Sequence, residues 1–148
     1  MKEYKRIYTD QRFSLHDSNI IDIDFDYDNN DNKDLILKTQ YGFVDINKNE
    51  MVEGEIILKD VSLEDSYVYI MEYKNVLAGN VGSFVGEKID LQNFISAFYT
   101  KFKNIDVIYE YDSYKTYLLT GFLSRGDEYL EVNIEIFYCG DFLYRVIE

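Results

Sequence analysis

The chain has one cysteine, one histidine, no tryptophan and no proline, and positive charge is scarce: 15 Lys and Arg stand against 28 Asp and Glu. Cys139 alone cannot form an internal disulfide, and one cysteine with one histidine supplies neither a zinc cluster nor a Cys-x-x-Cys redox pair. A reducing compartment fits this cysteine usage. A net charge of −13 and a pI near 4.4 argue against nucleic acid and anionic membranes as partners, because such binding draws on Lys and Arg that neutralise phosphates. Basic partners are favoured instead. No apolar run approaches the ~18 residues of a membrane span, and Met1 to Phe13 lacks the apolar core of a secretory signal. The expectation is a cytoplasmic, soluble protein with no cofactor and no metal.

What remains is aromatic and acidic. Aromatic residues make up 17% of the 148 residues, 15 of them Tyr and 10 Phe, a composition that favours strands. It also supplies more tyrosine than a core easily holds, since each buried phenol needs a hydrogen-bond partner. Some of these rings belong at the surface, either as sheet decoration or as a partner-binding face. The length and the 47% hydrophobic content suit a single domain over 1–148.

Two-residue periodicity is clearest from Ile21 to Tyr27. Ile21, Ile23, Phe25 and Tyr27 alternate with Asp22, Asp24 and Asp26, which predicts a strand with one dry and one wet face. The polar run Asp28 to Lys33 then makes a hairpin turn, and Leu35 and Leu37 resume the pattern towards Tyr41-Gly-Phe-Val44. Further strands are read at 55–61 and 66–73. In the second, Val68 and Ile70 oppose Tyr67, Tyr69, Met71 and Tyr73, so both faces look covered and the strand is placed centrally. Leu77 to Lys88, with three glycines, reads as an irregular crossover.

One helix is predicted at about 90–103, with Asp90 as N-cap and Leu91, Phe94, Ile95, Phe98 and Phe102 forming an apolar stripe. Lys101 and Lys103 complement its C-terminal dipole. Strands return at 105–111, 114–123, 128–138 and 142–147, with turns at Arg125-Gly-Asp127 and Gly140-Asp141. The fold class is mainly β (α+β): an antiparallel β-sandwich or curved sheet of about eight strands carrying one amphipathic helix.

His16-Asp17-Ser18 has the letters of a hydrolytic triad, but adjacent side chains on an extended chain diverge rather than converge. The reading preferred here is a turn before the long strand, with Asp17 or Ser18 bonding local amides. His16, Asp17 and Ser18 remain the binding-site candidates, as the lining of a small polar pocket; no catalytic residue is assigned. Cys139 reads as a small buried or half-buried apolar residue. Asp24 to Leu35 imitates a calcium loop yet has Asn29 and Leu35 where an EF-hand needs Gly and Glu. Gly82 to Lys88 lacks the Gly-Lys-Ser/Thr core of a phosphate loop.

Phe13-Ser-Leu-His-Asp-Ser-Asn-Ile-Ile-Asp-Ile23, the acidic turn, Asp34-Leu-Ile-Leu-Lys38 and Tyr41-Gly-Phe43 together resemble a pattern in small uncharacterised bacterial proteins with an L-H-D-S-x-I motif and a following β-hairpin. The resemblance covers about the first third of the chain. It implies a mostly β fold without a settled enzymatic activity, and some similar small acidic proteins are immunity partners of bacterial toxins. Three functions stay open: a non-enzymatic acidic protein-binding module for a basic partner, a small-ligand protein or enzyme with a pocket near His16 and Asp17, and a structural homo-oligomer.

Overall fold

β-branched and aromatic residues alternate with polar ones through most of the chain, a pattern that a pleated backbone buries on one side. The computed structural model describes residues 1–7, 9–26, 33–74 and 82–147. Among them lie thirteen strands and one helix: β1 (Lys2–Lys5), β2 (Phe13–Ser14), β3 (Asn19–Asp26), β4 (Asp34–Gln40), β5 (Phe43–Asp45), β6 (Glu50–Val52), β7 (Gly54–Leu58), β8 (Tyr67–Lys74), β9 (Ser83–Asp90), α1 (Leu91–Lys101), β10 (Ile105–Ser113), β11 (Thr116–Arg125), β12 (Glu128–Phe137) and β13 (Phe142–Val146). The expected mainly β fold is present, with more and shorter strands than the periodicity resolves.

Ten strands form one open antiparallel sheet in the order β1-β13-β7-β4-β3-β10-β11-β12-β8-β9, and β2-β5-β6 form a small second sheet. The large sheet has a narrow waist, because β3 meets β10 through only two residue pairs, Ile20 with Ile105 and Asn19 with Asp106. Its two halves fold back on each other: Tyr117 on β11 packs edge-on against Phe142 on β13, ring centroids 4.9 Å apart, although four strands separate them in sheet order. The space between the halves is the core, filled by Leu130, Val132, Ile134 and Ile136 of β12 and by Phe142, Tyr144 and Val146 of β13.

The small sheet plugs this core with aromatic edges. Phe13 packs 5.4 Å from Phe43 and 4.8 Å from Tyr144. Gly42 lets β5 and β6 of the small sheet close on each other: its φ is +82°, and a Cβ there would lie 1.8 Å from the Val52 carbonyl oxygen.

The helix begins where expected. Asp90 caps it by accepting from the Asn93 amide at 2.8 Å, and Leu91, Phe94, Ile95 and Phe98 are buried. It ends at Lys101 rather than 103, because Phe102 turns extended and its amide donates back to the Phe98 carbonyl, leaving Lys103 outside. α1 rests on β3, β8 and β9.

Four local expectations are corrected. Ile21 faces solvent rather than the core, because the β3–β4 register slips between Ile20 and Asp22, so Ile20, Ile23 and Phe25 are buried instead. Ser83 to Lys88, expected as part of a crossover, belong to the edge strand β9 (Ser83–Asp90), which pairs along its whole length with β8. β8 is therefore penultimate rather than central, and Tyr73 on its outer side is exposed. Cys139 is exposed, at the corner where its amide donates to the Asp60 carbonyl. Tyr27, the acidic turn at 28–32 and the stretch 75–81 lie outside the described residues.

Gly121 on β11 is the tightest interstrand approach beside the waist: a Cβ there would meet the Asp106 carbonyl oxygen at 2.0 Å. Gly121→Ala should lower the free energy of unfolding by about 1–3 kcal/mol through backbone displacement. Urea unfolding with an unchanged midpoint would show that β10 is not held against β11 at this point.

Candidate functional site

The expected turn at His16 and Asp17 is present. The Ser18 amide donates to the Leu15 carbonyl at 2.8 Å, and Asp17 at the third position has φ +64°, a conformation that aspartate tolerates. The turn docks on the free edge of β10: the Asp17 amide donates to the Val107 carbonyl and the Val107 amide to the Ser18 carbonyl, both at 2.9 Å. His16 Nδ1 lies in close hydrogen-bond contact with the Ile108 carbonyl oxygen, and its ring stacks on Tyr109. Nε2 is 3.4 Å from Asp17 Oδ2.

These three side chains do not converge. His16 and Asp17 are 56% and 78% exposed, while the Ser18 hydroxyl is buried without a hydrogen-bond partner among the described residues. Five surface clefts among the described residues have walls that include none of His16, Asp17 and Ser18. Their visible work is to fasten the turn to β10.

The strand they grip contains an irregularity with large consequences. β10 pairs Val107 with Gly121 but Tyr109 with Thr120, so Ile108 is an extra residue in the ladder. Unbroken alternation would carry Tyr109 and Tyr111 to the same side as Val107. The bulge reverses the phase: Glu110 and Asp112 turn inward, and Tyr109 and Tyr111 turn out.

Two carboxylates are thus driven between the sheet halves, where Arg6 meets them. Its guanidinium donates to Asp112 Oδ2 at 2.6 Å, to the Tyr144 hydroxyl at 3.1 Å and to Glu110 Oε1 at 3.4 Å, with the Arg6 side chain only 7% exposed. It lies over the rings of Phe142 and Tyr117, at 4.7 and 5.3 Å. Tyr117 donates to Glu110 Oε1 at 2.6 Å, and the Leu15 amide donates to Glu110 Oε2 at 2.9 Å. Glu110 therefore joins the His16 turn to the buried cluster.

Burial opposes charge on Arg6, but the surrounding phenols, Glu110 and Asp112 outweigh it and hold its pKa above the ordinary arginine value. Burial, then the Glu110 charge, pushes the fully enclosed Tyr117 phenol well above its usual range. Burial likewise raises Tyr144 against the opposing pull of Arg6, and raises Tyr138 with help from Asp112. A cleft of about 140 Å³ adjoins this cluster, walled by Lys5, Asp112, Ser113 and Tyr138 among others. The groups bonded to one another in the cluster are one guanidinium, two carboxylates and phenols that burial keeps protonated, an arrangement that compensates charge.

The opposite side of the same strands is the stronger candidate for function. On the outer face of β10-β11-β12-β8, register places Tyr109, Thr120, Asn133 and Tyr69 in one row across the strands. The neighbouring row holds Asp106, Phe122, Glu131 and Met71. Tyr109 is 57% exposed and its ring lies 6.2 Å from that of Tyr111, itself solvent-facing. Between the rows run two shallow clefts of about 310 and about 300 Å³ that meet at Asn133.

Comparison with protein-family models, with curated proteins and with solved structures gives no match. The geometry therefore carries the functional reading. Arg6, Glu110 and Asp112 escape sequence reasoning because 104 residues separate Arg6 from Glu110 and no local pattern links them. The outer face had a signal in the tyrosine excess, although the letters do not say which rings are outside.

Two measurements test the buried cluster. Arg6→Leu leaves two nearly dry carboxylates uncompensated and should cost about 3–5 kcal/mol of stability, much of it recovered when Glu110→Gln and Asp112→Asn are added. A triple variant no more stable than the single one would refute the compensation role. Tyr117, Tyr144 and Tyr138 have pKa values above the ordinary 10.0, so the folded chain keeps protons that the unfolded chain loses. Their stabilisation is complete below about pH 10 and must fall as pH rises beyond it. Tyr117→Phe should flatten that fall by up to ~1.4 kcal/mol per pH unit, read from urea unfolding at stepped alkaline pH. An unchanged slope would contradict the assignment.

Proposed function

We propose that this chain is a non-enzymatic, acidic protein-binding module of the cytoplasm whose docking face is the outer side of β10-β11-β12-β8. One observation carries the reading: the bulge at Ile108 presents Tyr109 and Tyr111 to solvent beside the exposed Phe122, on a face left uncovered by the helix and by the small sheet. Tyrosine and phenylalanine are enriched where proteins meet, because a rigid ring offers large contact area at little entropic cost. A contiguous apolar patch rimmed by polar groups is uncommon on a free surface.

The net charge of −13 supports a basic partner, through faster and better oriented encounter more than through final affinity. Toxin immunity, implied by the resemblance of the first third, is one form of this function. Under this reading, a pull-down from the native host at low and at moderate salt returns a specific basic protein, held less well as salt rises. Failure to retain a specific partner at either salt would refute it. A homodimer in native mass spectrometry at micromolar protein would favour self-association through this face or the β9 edge instead.

A further inference from the structure

The outer face has a chemical bias that narrows its partner. Of the residues that register places on it, Asp106, Glu131 and Glu135 are acidic, and Lys88 of β9, opposite Tyr69, is the one base among those described. Lys88 is already engaged, its Nζ 4.1 Å from the centre of the Tyr67 ring and 5.5 Å from that of Tyr69. Nearby Arg125 is also occupied, 3.1 Å from Glu128 and 3.9 Å from Glu72. Lys88 thus displays on this chain what the face accepts: an ammonium laid over tyrosine rings.

At the other end of the same rows the acceptors stand without a cation. Glu131 lies directly opposite Phe122, which lies opposite Asp106, and the next row brings Tyr109 and Asn133 alongside. Glu131 makes no ion pair among the described residues. Tyr109, Phe122, Glu131 and Asn133 line the cleft of about 310 Å³, which has Gly121 in its wall, and Asp106 lies beyond its edge. A carboxylate, two aromatic rings and an amide side chain in one cleft wall match a flat or extended cation with an apolar stem, because the stem covers ring surface while the charged head reaches the carboxylate.

We infer that the cleft bounded by Tyr109, Phe122, Glu131 and Asn133 seats an arginine or lysine side chain of the protein partner. The inference rests on the protein-binding reading and adds the position and chemistry of the contact. Charge complementarity selects this occupant over an apolar helix, which would bury Glu131 and Asp106 unpaired.

A synthetic peptide of alternating Arg and Gly, titrated into the full ¹⁵N-labelled chain, tests it. The largest amide shifts should centre on Thr120, Gly121, Phe122, Glu131 and Asn133. Tyr109→Leu, which keeps bulk but removes the ring face, should weaken the apparent Kd about two- to fivefold. Glu131→Gln should weaken it about three- to tenfold. Glu64→Gln removes the same charge from an exposed residue that does not line the cleft and should leave Kd within about twofold. Each variant surface is solvent-facing, and its amide spectrum reports directly whether the fold is kept. Shifts scattered over the acidic surface, equal weakening by Glu64→Gln and Glu131→Gln, or no binding at all would overturn the assignment of the cleft. Those outcomes leave the broader protein-binding reading to the pull-down, which stands or falls separately.

Discussion

One inserted residue governs the molecule. Ile108 shifts the phase of β10, so a single strand sends hydrophobic side chains inward over its first half and carboxylates inward over its second. Burying Glu110 and Asp112 is offset by Arg6, which arrives from the far side of the folded sheet, while Tyr117 and the Leu15 amide bond Glu110 and the Tyr144 hydroxyl bonds the guanidinium; Asp112 Oδ1 is the one oxygen of the two carboxylates without a hydrogen-bond partner among the described residues. A cluster of this kind adds little net stability compared with an apolar filling of the same shape. Its geometry ties Arg6 to two carboxylates of β10 and so fixes how the N-terminal segment meets that strand.

The same phase shift determines what the surface displays. Had β10 continued its alternation, Tyr109 and Tyr111 would lie with the core, and β10 would turn Ile108, Glu110 and Asp112 to the outer face in their place. Core and surface are therefore coupled through geometry: the residues that hold the bulge hold the tyrosines. His16 takes part from outside, contacting the Ile108 carbonyl and stacking on Tyr109, while Glu110 receives the Leu15 amide from inside. The residues that look most like a reactive centre in the sequence serve as a clamp on the irregular strand.

Much of this was legible beforehand, for identifiable reasons. The helix showed itself because its cap at Asp90 and its stripe from Leu91 to Phe98 are local signals, and β12 because its alternation is uninterrupted. The Arg125 to Asp127 turn was legible because Gly126, at φ +59°, suits a two-residue connection. Bulges were not legible: nothing in the side chains of Ile21 or Ile108 marks an unpaired position, which arises from how neighbouring strands align. β9 was hidden by glycines that read as a loop, although Gly86, the one of them within the strand, pairs with Met71 of β8. The charged cluster was invisible because its members are remote in sequence, and the outer face was foreshadowed only as a surplus of tyrosine.

The waist between β3 and β10 acquires a kinetic meaning beside the position of β1. β1 pairs with β13, so one half of the sheet joins segments from opposite ends of the described chain, and the Arg6 contact encloses a loop of about a hundred residues. Loop closure costs only ~0.6 kcal/mol for each doubling of length, so the final stability hardly registers that distance. The rate does, because contacts of such separation form late and place a fold among those that take milliseconds to seconds. The half built from β10, β11, β12, β8 and β9 draws on hairpin pairings and on the β12–β8 ladder, in which Tyr69 and Glu135 lie 66 residues apart. The Arg6 contact spans more chain than that, so the docking of the N-terminal segment on Glu110 and Asp112 is the step expected after this half has formed.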